Sequence, residues 1–103
     1  MEPQVSTIGS VRLGAGELVF VCGPCVCEDR EMALDYAARL GALQSKHQTR
    51  LVFKASYDKA NRTSIASYRG PGARTALPFL REACAKTGLP LLVDVHSVEE
   101  VAC

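Results

Sequence analysis

Three largely apolar runs of strand length, separated by segments of helical periodicity, constrain the fold of this chain more than any other feature. The runs cover residues 18–22, 51–55 and 91–95. Continuous rather than alternating apolar residues are typical of strands that are buried on both faces of a parallel sheet. The order strand, helix, strand, helix, strand therefore predicts parallel α/β architecture.

The first helix is predicted over residues 29–47, because its apolar residues recur at helical spacing and acidic residues stand at its N-terminus. The predicted inner stripe consists of Met32, Ala33, Tyr36, Ala37, Leu40 and Leu43.

A second helix is predicted over residues 75–86. This boundary assumes that Thr75 caps the helix, so that Pro78 falls in the first turn, and that Gly88 ends it. The predicted inner face consists of Ala76, Leu77, Leu80, Ala83 and Cys84. The segment from Ser97 to Glu100 has the form of a capping box, which predicts the start of a third helix.

The first seventeen residues are predicted to form a small hairpin. Residues 5–13 alternate weakly around Gly9 and Ser10, and a glycine-rich turn follows at residues 14–16. We expect residues 1–17 to form this hairpin and residues 18–103 to form one α/β unit that ends at the start of the third helix.

Positive charge is concentrated after the second strand, although the net charge of the chain is only +1. Asp58 is the one acidic residue among the cations of this region, and serines, a threonine and Asn61 add neutral donors. Such groups suit phosphates or carboxylates, which need charge and directed hydrogen bonds. We expect an anion site here, and the alternative is a solvated basic loop. The cations are Lys54, Lys59, Arg62, Arg69 and Arg74.

Composition argues against two classes of partner. The near-zero net charge argues against a dedicated nucleic-acid binder. No apolar run is long enough to span a membrane, and the N-terminus lacks the pattern of a signal peptide. We therefore expect a cytoplasmic protein.

The five cysteines do not follow the spacing of a disulfide framework or of a zinc finger. Cys22 and Cys25 enclose a Gly-Pro dipeptide, as in the redox motif of thioredoxins. A thioredoxin-like dithiol oxidoreductase is therefore an alternative, but thioredoxins carry a Trp before the motif and this chain has none.

Four segments resemble the 3-deoxy-D-manno-octulosonate 8-phosphate synthases: FVCGPC at residues 20–25, FKASYDKANRTS at 53–64, YRGPG at 68–72 and LPLLVDVH at 89–96. The sister family that makes a seven-carbon sugar acid has Lys-Pro-Arg-Thr at the second of these segments. The resemblance implies a (β/α)₈ barrel that condenses phosphoenolpyruvate with arabinose 5-phosphate and water, releases phosphate, and serves lipopolysaccharide precursor synthesis. It also implies a homotetramer.

The resemblance also implies roles for individual residues. Lys54 and Ser56 would hold phosphoenolpyruvate, Lys59 and Asn61 would contact the pentose phosphate, and Asp94 and His96 would line the floor of the site. Arg62, with Thr63 or Ser64, would reach the sugar phosphate of a neighbouring subunit. Members with Cys rather than Asn at position 25 bind a divalent metal, so Cys25 would be a metal ligand, and the other ligands would come from later strands.

Some positions depart from the family pattern. Tyr57 and Tyr68 replace Phe, Ala66 replaces a frequent His, and Ser97 replaces Glu. A complete barrel needs roughly 250 residues, whereas this chain has 103. We therefore expect three of the eight strands, an N-terminal part of a synthase, and no activity from the chain alone. A fragment without catalytic function is the remaining alternative.

Overall fold

The computed structural model describes residues 4–58 and 70–103, and in them the chain forms a short hairpin followed by a three-stranded parallel sheet with helices. In chain order the elements are β1 (Ser6–Ile8), β2 (Val11–Leu13), β3 (Val19–Cys22), α1 (Arg30–His47), β4 (Arg50–Ala55), α2 (Ala73–Thr87), β5 (Leu91–Val93) and α3 (Val98–Val101). The sheet order is β3-β4-β5, with both pairs parallel. The predicted parallel α/β architecture is confirmed, and the described strands form an open sheet.

The N-terminal hairpin lies against this sheet. β1 and β2 pair antiparallel around the turn at Gly9 and Ser10, as predicted. β2 contacts β4, and Val11 and Val52 are both buried. Because side chains alternate along a strand, Val52 points away from its neighbours Leu51 and Phe53. The hairpin therefore covers the sheet face opposite the helices.

The main core lies between the sheet and the two long helices. Leu51, Phe53 and Ala55 of β4 belong to one buried cluster with residues of both helices. The prediction for α1 is only partly right. Ala33 and Ala37 are buried, but Tyr36 and Leu43 are 38% and 48% exposed, because the α1 residues buried against the core form a narrow stripe. The buried residues of α2 are Ala73, Ala76, Phe79, Leu80, Ala83 and Cys84.

The ends of α1 follow the expected chemistry. The Asp29 carboxylate accepts a hydrogen bond from the Met32 amide at 2.8 Å and so satisfies one free donor of the first turn. Gln48 ends the helix in the left-handed conformation, with φ 50°. Arg30 joins α1 to α2 through two hydrogen bonds of 2.7 and 2.6 Å to the Glu82 carboxylate.

The predicted start of α2 is wrong. The helix begins at Ala73, two residues before the expected boundary, and Gly72 rather than Thr75 occupies the cap position. Pro78 consequently lies in the second turn, where it has no amide to donate to the carbonyl four residues earlier. Gly88 ends the helix as predicted, with φ 76° and its amide bonded to the Cys84 carbonyl at 2.8 Å.

The third strand is shorter than predicted, since β5 ends at Val93 rather than at residue 95. Asp94 leaves the ladder and accepts a hydrogen bond from the Ser56 hydroxyl. The predicted capping box is also altered. Ser97 stands at the cap position without a side-chain bond, and Glu100 accepts from the amide of His96 rather than from that of Ser97. No helix within residues 4–58 and 70–103 is long and apolar enough to cross a membrane.

Candidate functional site

A cleft of about 370 Å³ opens where β3, β4 and β5 end at their carboxyl termini. In parallel α/β folds, ligands bind at this edge of the sheet. The cleft brings together Cys25, Lys54, Asp94 and His96, which follow or end three different strands. The cleft is lined by Val21, Cys22, Gly23, Pro24, Cys25, Lys54, Ser56, Asp58, Asp94 and His96.

Backbone contacts hold the segment after β4 against the segment after β3 and against the start of α2. The Cys27 amide donates to the Ser56 carbonyl at 2.9 Å, and the Gly72 amide donates to the Tyr57 carbonyl at 2.9 Å. Gly23 lies so close to the Lys54 carbonyl oxygen that a β-carbon at this position would overlap it. Glycine is therefore required at position 23 because the two backbones meet there.

A chain of polar contacts runs across the floor of the cleft. The Ser56 hydroxyl donates to Oδ1 of Asp94, and Nε2 of His96 lies 3.5 Å from Oδ2 of the same carboxylate. The side chains of His96 and Asp94 are 24% and 41% exposed, respectively. All three residues were predicted from the sequence to be site residues, and the geometry makes them neighbours with a water-accessible carboxylate between them.

Tyr57 and Glu100 also belong to this network, and sequence reasoning did not select them. The buried Tyr57 hydroxyl donates to Oε2 of Glu100 at 2.6 Å. Burial and this carboxylate raise the pKa of Tyr57, and the Tyr57 hydroxyl, followed by the His96 amide, lowers the pKa of Glu100. One signal was available. The resemblance implies Phe at position 57, and a tyrosine hydroxyl that is buried there needs a hydrogen-bond partner.

The cations of the predicted anion site separate into three groups. Lys54 lines the cleft, together with the acidic residues Asp58 and Asp94. Arg74 lines a second groove along α2 with Leu77 and Arg81 and is not among the residues that line the cleft. The remaining predicted contacts lie outside the described residues, namely Lys59, Asn61, Arg62, Thr63, Ser64 and Arg69.

The cysteines divide by their surroundings. Burial raises the pKa values of Cys27 and Cys84 to about 11, so both are packing residues. Burial also raises the pKa of Cys22, the opposite of what a reactive redox thiol needs. In addition, the Cys22–Cys25 turn does not open a helix, because α1 begins only at Arg30. The geometry thus gives the thioredoxin-like alternative no support.

The predicted metal ligand, Cys25, is exposed and lines the cleft. Within the part of the chain that the structure describes, no group of three or more His, Cys, Asp or Glu residues is placed to hold a metal ion. A divalent metal usually needs three or four protein ligands. The described residues alone do not fit the implied metal, and we derive no chemical step through it.

Fold and cleft together define an α/β protein with a polar site at the carboxyl ends of parallel strands. The chain belongs to the DAHP synthetase I family, whose model matches residues 2–103. It is 47% identical over 97 residues to the 2-dehydro-3-deoxyphosphooctonate aldolase of Trichlorobacter lovleyi, covering 93% of this chain and 36% of that protein.

Two further relatives carry the same name. The chain is 47% identical over 96 residues to the Geobacter sulfurreducens protein and 50% identical over 96 residues to that of Pelobacter propionicus. Each alignment covers 92% of this chain and 35% of the relative. The resemblance to octulosonate-phosphate synthases is thus confirmed, and the chain spans about a third of the length of these curated relatives.

Proposed function

We propose that this chain supplies the phosphoenolpyruvate-binding part of a 3-deoxy-D-manno-octulosonate 8-phosphate synthase. The reaction condenses phosphoenolpyruvate with arabinose 5-phosphate and water and releases phosphate. The observation that carries the proposal is the cleft at the carboxyl ends of β3, β4 and β5, which gathers Lys54, Ser56, Asp94 and His96 from the segments that resemble the synthases. The family and the three relatives support it.

In this proposal Lys54 and Ser56 bind phosphoenolpyruvate. The ammonium group of Lys54 offsets the charge that builds up as the enol carbon attacks the aldehyde carbon of the pentose. Lys59 and Asn61 contact the pentose phosphate, and Arg62 with Thr63 or Ser64 reaches a neighbouring subunit of a tetramer. A cytoplasmic location and a role in lipopolysaccharide precursor synthesis belong to the same proposal.

Cys25 is proposed as one ligand of a divalent metal whose other ligands come from outside the described residues. The exposed thiol at the rim of the cleft supports this role. Metal analysis of a Cys25→Ala variant tests it in a chimera that joins residues 2–103 to the remainder of the Geobacter sulfurreducens relative, with Cys22→Ala as the matched control. We expect only the first variant to lose metal, and equal metal content in both would contradict the assignment.

The synthase proposal is tested by a chimera in which residues 2–103 replace the aligned part of the Geobacter sulfurreducens relative. We expect phosphate release from phosphoenolpyruvate and arabinose 5-phosphate. The Lys54→Ala change should lower turnover by about 100-fold or more, as loss of one preorganised charge-stabilising group does. Lys46→Ala, on the exposed last turn of α1, is the matched control.

An inactive but folded chimera, or full turnover in Lys54→Ala, would contradict the proposal. Folding of the chimera is checked by circular dichroism and by its sedimentation coefficient, compared with those of the intact relative.

A further inference from the structure

Glu100 connects the buried core to the cleft through one carboxylate oxygen. Its Oε2 accepts from the Tyr57 hydroxyl at 2.6 Å and from the His96 amide at 3.0 Å. The rings of Tyr57 and His96 also meet edge to face, with centroids 5.9 Å apart and planes at 75°. His96 is therefore held at its backbone by Glu100 and at its ring by Tyr57.

Tyr57 is the fixed end of this arrangement. Its side chain is fully buried, and its carbonyl accepts the Gly72 amide at 2.9 Å. By contrast, α3 has only four residues and none of them is buried, so the helix has little stability of its own. The hydroxyl-to-carboxylate bond, which is charge-assisted and correspondingly strong, fastens α3 and the preceding residues to the core.

The other end of the arrangement lies in the cleft. Nε2 of His96 is 3.5 Å from Oδ2 of Asp94, whose other oxygen accepts from Ser56. Any displacement of the His96 backbone would consequently move the imidazole relative to Asp94. The polar floor of the cleft thus depends on two residues that do not line it.

We propose that Tyr57 and Glu100 are positioning residues that hold His96, and through it Asp94, at the floor of the cleft. The consequence for catalysis rests on the proposed function. The hydroxyl of Tyr57 acts in this role together with the carboxylate of Glu100.

The test is the rate at which diethyl pyrocarbonate modifies His96, measured by mass spectrometry on the 103-residue chain at low micromolar concentration. His47, the other histidine, is exposed at the end of α1 and serves as the internal reference. Glu100→Ala should speed modification of His96 relative to His47 by about tenfold, the factor expected for a lost hydrogen bond to a charged group. Tyr57→Phe, which keeps the ring in the core, should speed it severalfold.

Glu100→Gln keeps an acceptor oxygen, so His96 should be modified almost as slowly as in the wild type. A hydrogen bond from Tyr57 and from the His96 amide to position 100 predicts this result. Glu99→Ala and Tyr36→Phe, both at exposed positions, are controls that should leave the ratio unchanged. Unchanged His96 rates in Glu100→Ala and Tyr57→Phe, with unaltered circular dichroism, would overturn the proposal.

Labelling of His96 needs neither ligand nor turnover, so it is independent of the synthase proposal. The synthase proposal is assessed separately, by whether phosphoenolpyruvate slows acetylation of Lys54 in the chimera with the Geobacter sulfurreducens relative. Failure of that protection with the expected His96 rates would contradict the function and leave the positioning role in place.

Discussion

At the scale of single residues, Gly23 controls the geometry of the cleft most directly, because its backbone touches the carbonyl of Lys54. A Gly23→Ala change should push β3 and β4 apart and lower the free energy of unfolding by about 1–3 kcal/mol, as overpacking does. The measurement is urea unfolding followed by circular dichroism.

Gly41→Ala is the matched control for this glycine. Its β-carbon would come no closer than 3.5 Å to Thr87, and alanine favours the helix, so its stability should be unchanged or slightly higher. An unfolding midpoint for Gly23→Ala equal to that of the wild type would show that the strand ends can separate freely.

The cysteines offer a second prediction at this scale. At pH 8 a thiol with a pKa of about 11 is ionised in roughly one molecule per thousand, so Cys27 and Cys84 should resist alkylation. Cys25 and Cys103 are exposed and should react first, with Cys22 between the two groups. Mass spectrometry of the partly alkylated chain gives this order, and alkylation of Cys27 or Cys84 before Cys25 would contradict it. Insulin reduction that requires both Cys22 and Cys25 would favour the thioredoxin-like alternative instead.

At the scale of elements, strand and helix order was predictable from the sequence because apolar periodicity follows directly from burial. The predictions that were wrong concern element ends, which depend on tertiary contacts. Asp94 follows the end of β5 and accepts from Ser56, which is far away in sequence, and Glu100 accepts from Tyr57 and from the His96 amide rather than from Ser97. Likewise, the strand-end location of Lys54 was predictable, whereas the separation of Arg74 from the cleft required knowing that α2 begins at Ala73.

Pro78 gives a testable consequence of that earlier helix start. Because it lies in the second turn of α2, Pro78→Ala should restore an amide donor for the Arg74 carbonyl and raise the free energy of unfolding, by about 1–3 kcal/mol. Thermal unfolding of the variant provides the check. Lower stability than the wild type would mean that the ring of Pro78 contributes packing that outweighs the missing bond.

The Arg30–Glu82 pair between α1 and α2 predicts a pH dependence. The guanidinium holds the pKa of Glu82 below its ordinary value of 4.5. A carboxyl with a lowered folded-state pKa stabilises the fold above its unfolded pKa, and the contribution is lost as the pH falls through the folded value. The free energy of unfolding should therefore decrease as the pH is lowered below about 4.5. The slope of this decrease with pH should be shallower in Glu82→Gln.

Arg30→Gln should flatten the same slope, and the double variant should add little to either single change. The measurement is the urea midpoint at several pH values between 3 and 6. Independent, additive effects of the two substitutions would contradict the pairing.

At the scale of the whole molecule, β3 and the residue before it leave apolar surface uncovered. Leu18, Phe20 and Val21 are 73%, 44% and 44% exposed, and exposed patches of this kind drive association. The 103-residue chain should accordingly associate in a concentration-dependent way and should not turn over the proposed substrates. Sedimentation velocity measures the association, and phosphate release measures turnover.

Phe20→Ser should reduce this association more than Val98→Ser, although Val98 is 85% exposed, because Val98 lies on the short α3 rather than on the sheet. A monodisperse monomer at all concentrations, or equal effects of the two substitutions, would contradict this account of the surface.

The contact between the hairpin turn and Pro90 has a consequence for folding during synthesis. Gly9 lies so close to Pro90 that an added β-carbon would be 3.1 Å from the proline ring, so the hairpin completes its packing only against the residue that precedes β5. At 5–20 residues per second, roughly 4–16 s separate the translation of these two positions. The newly made hairpin can therefore pack against β4 once that strand has left the exit tunnel, but its turn must wait for Pro90, which follows α2.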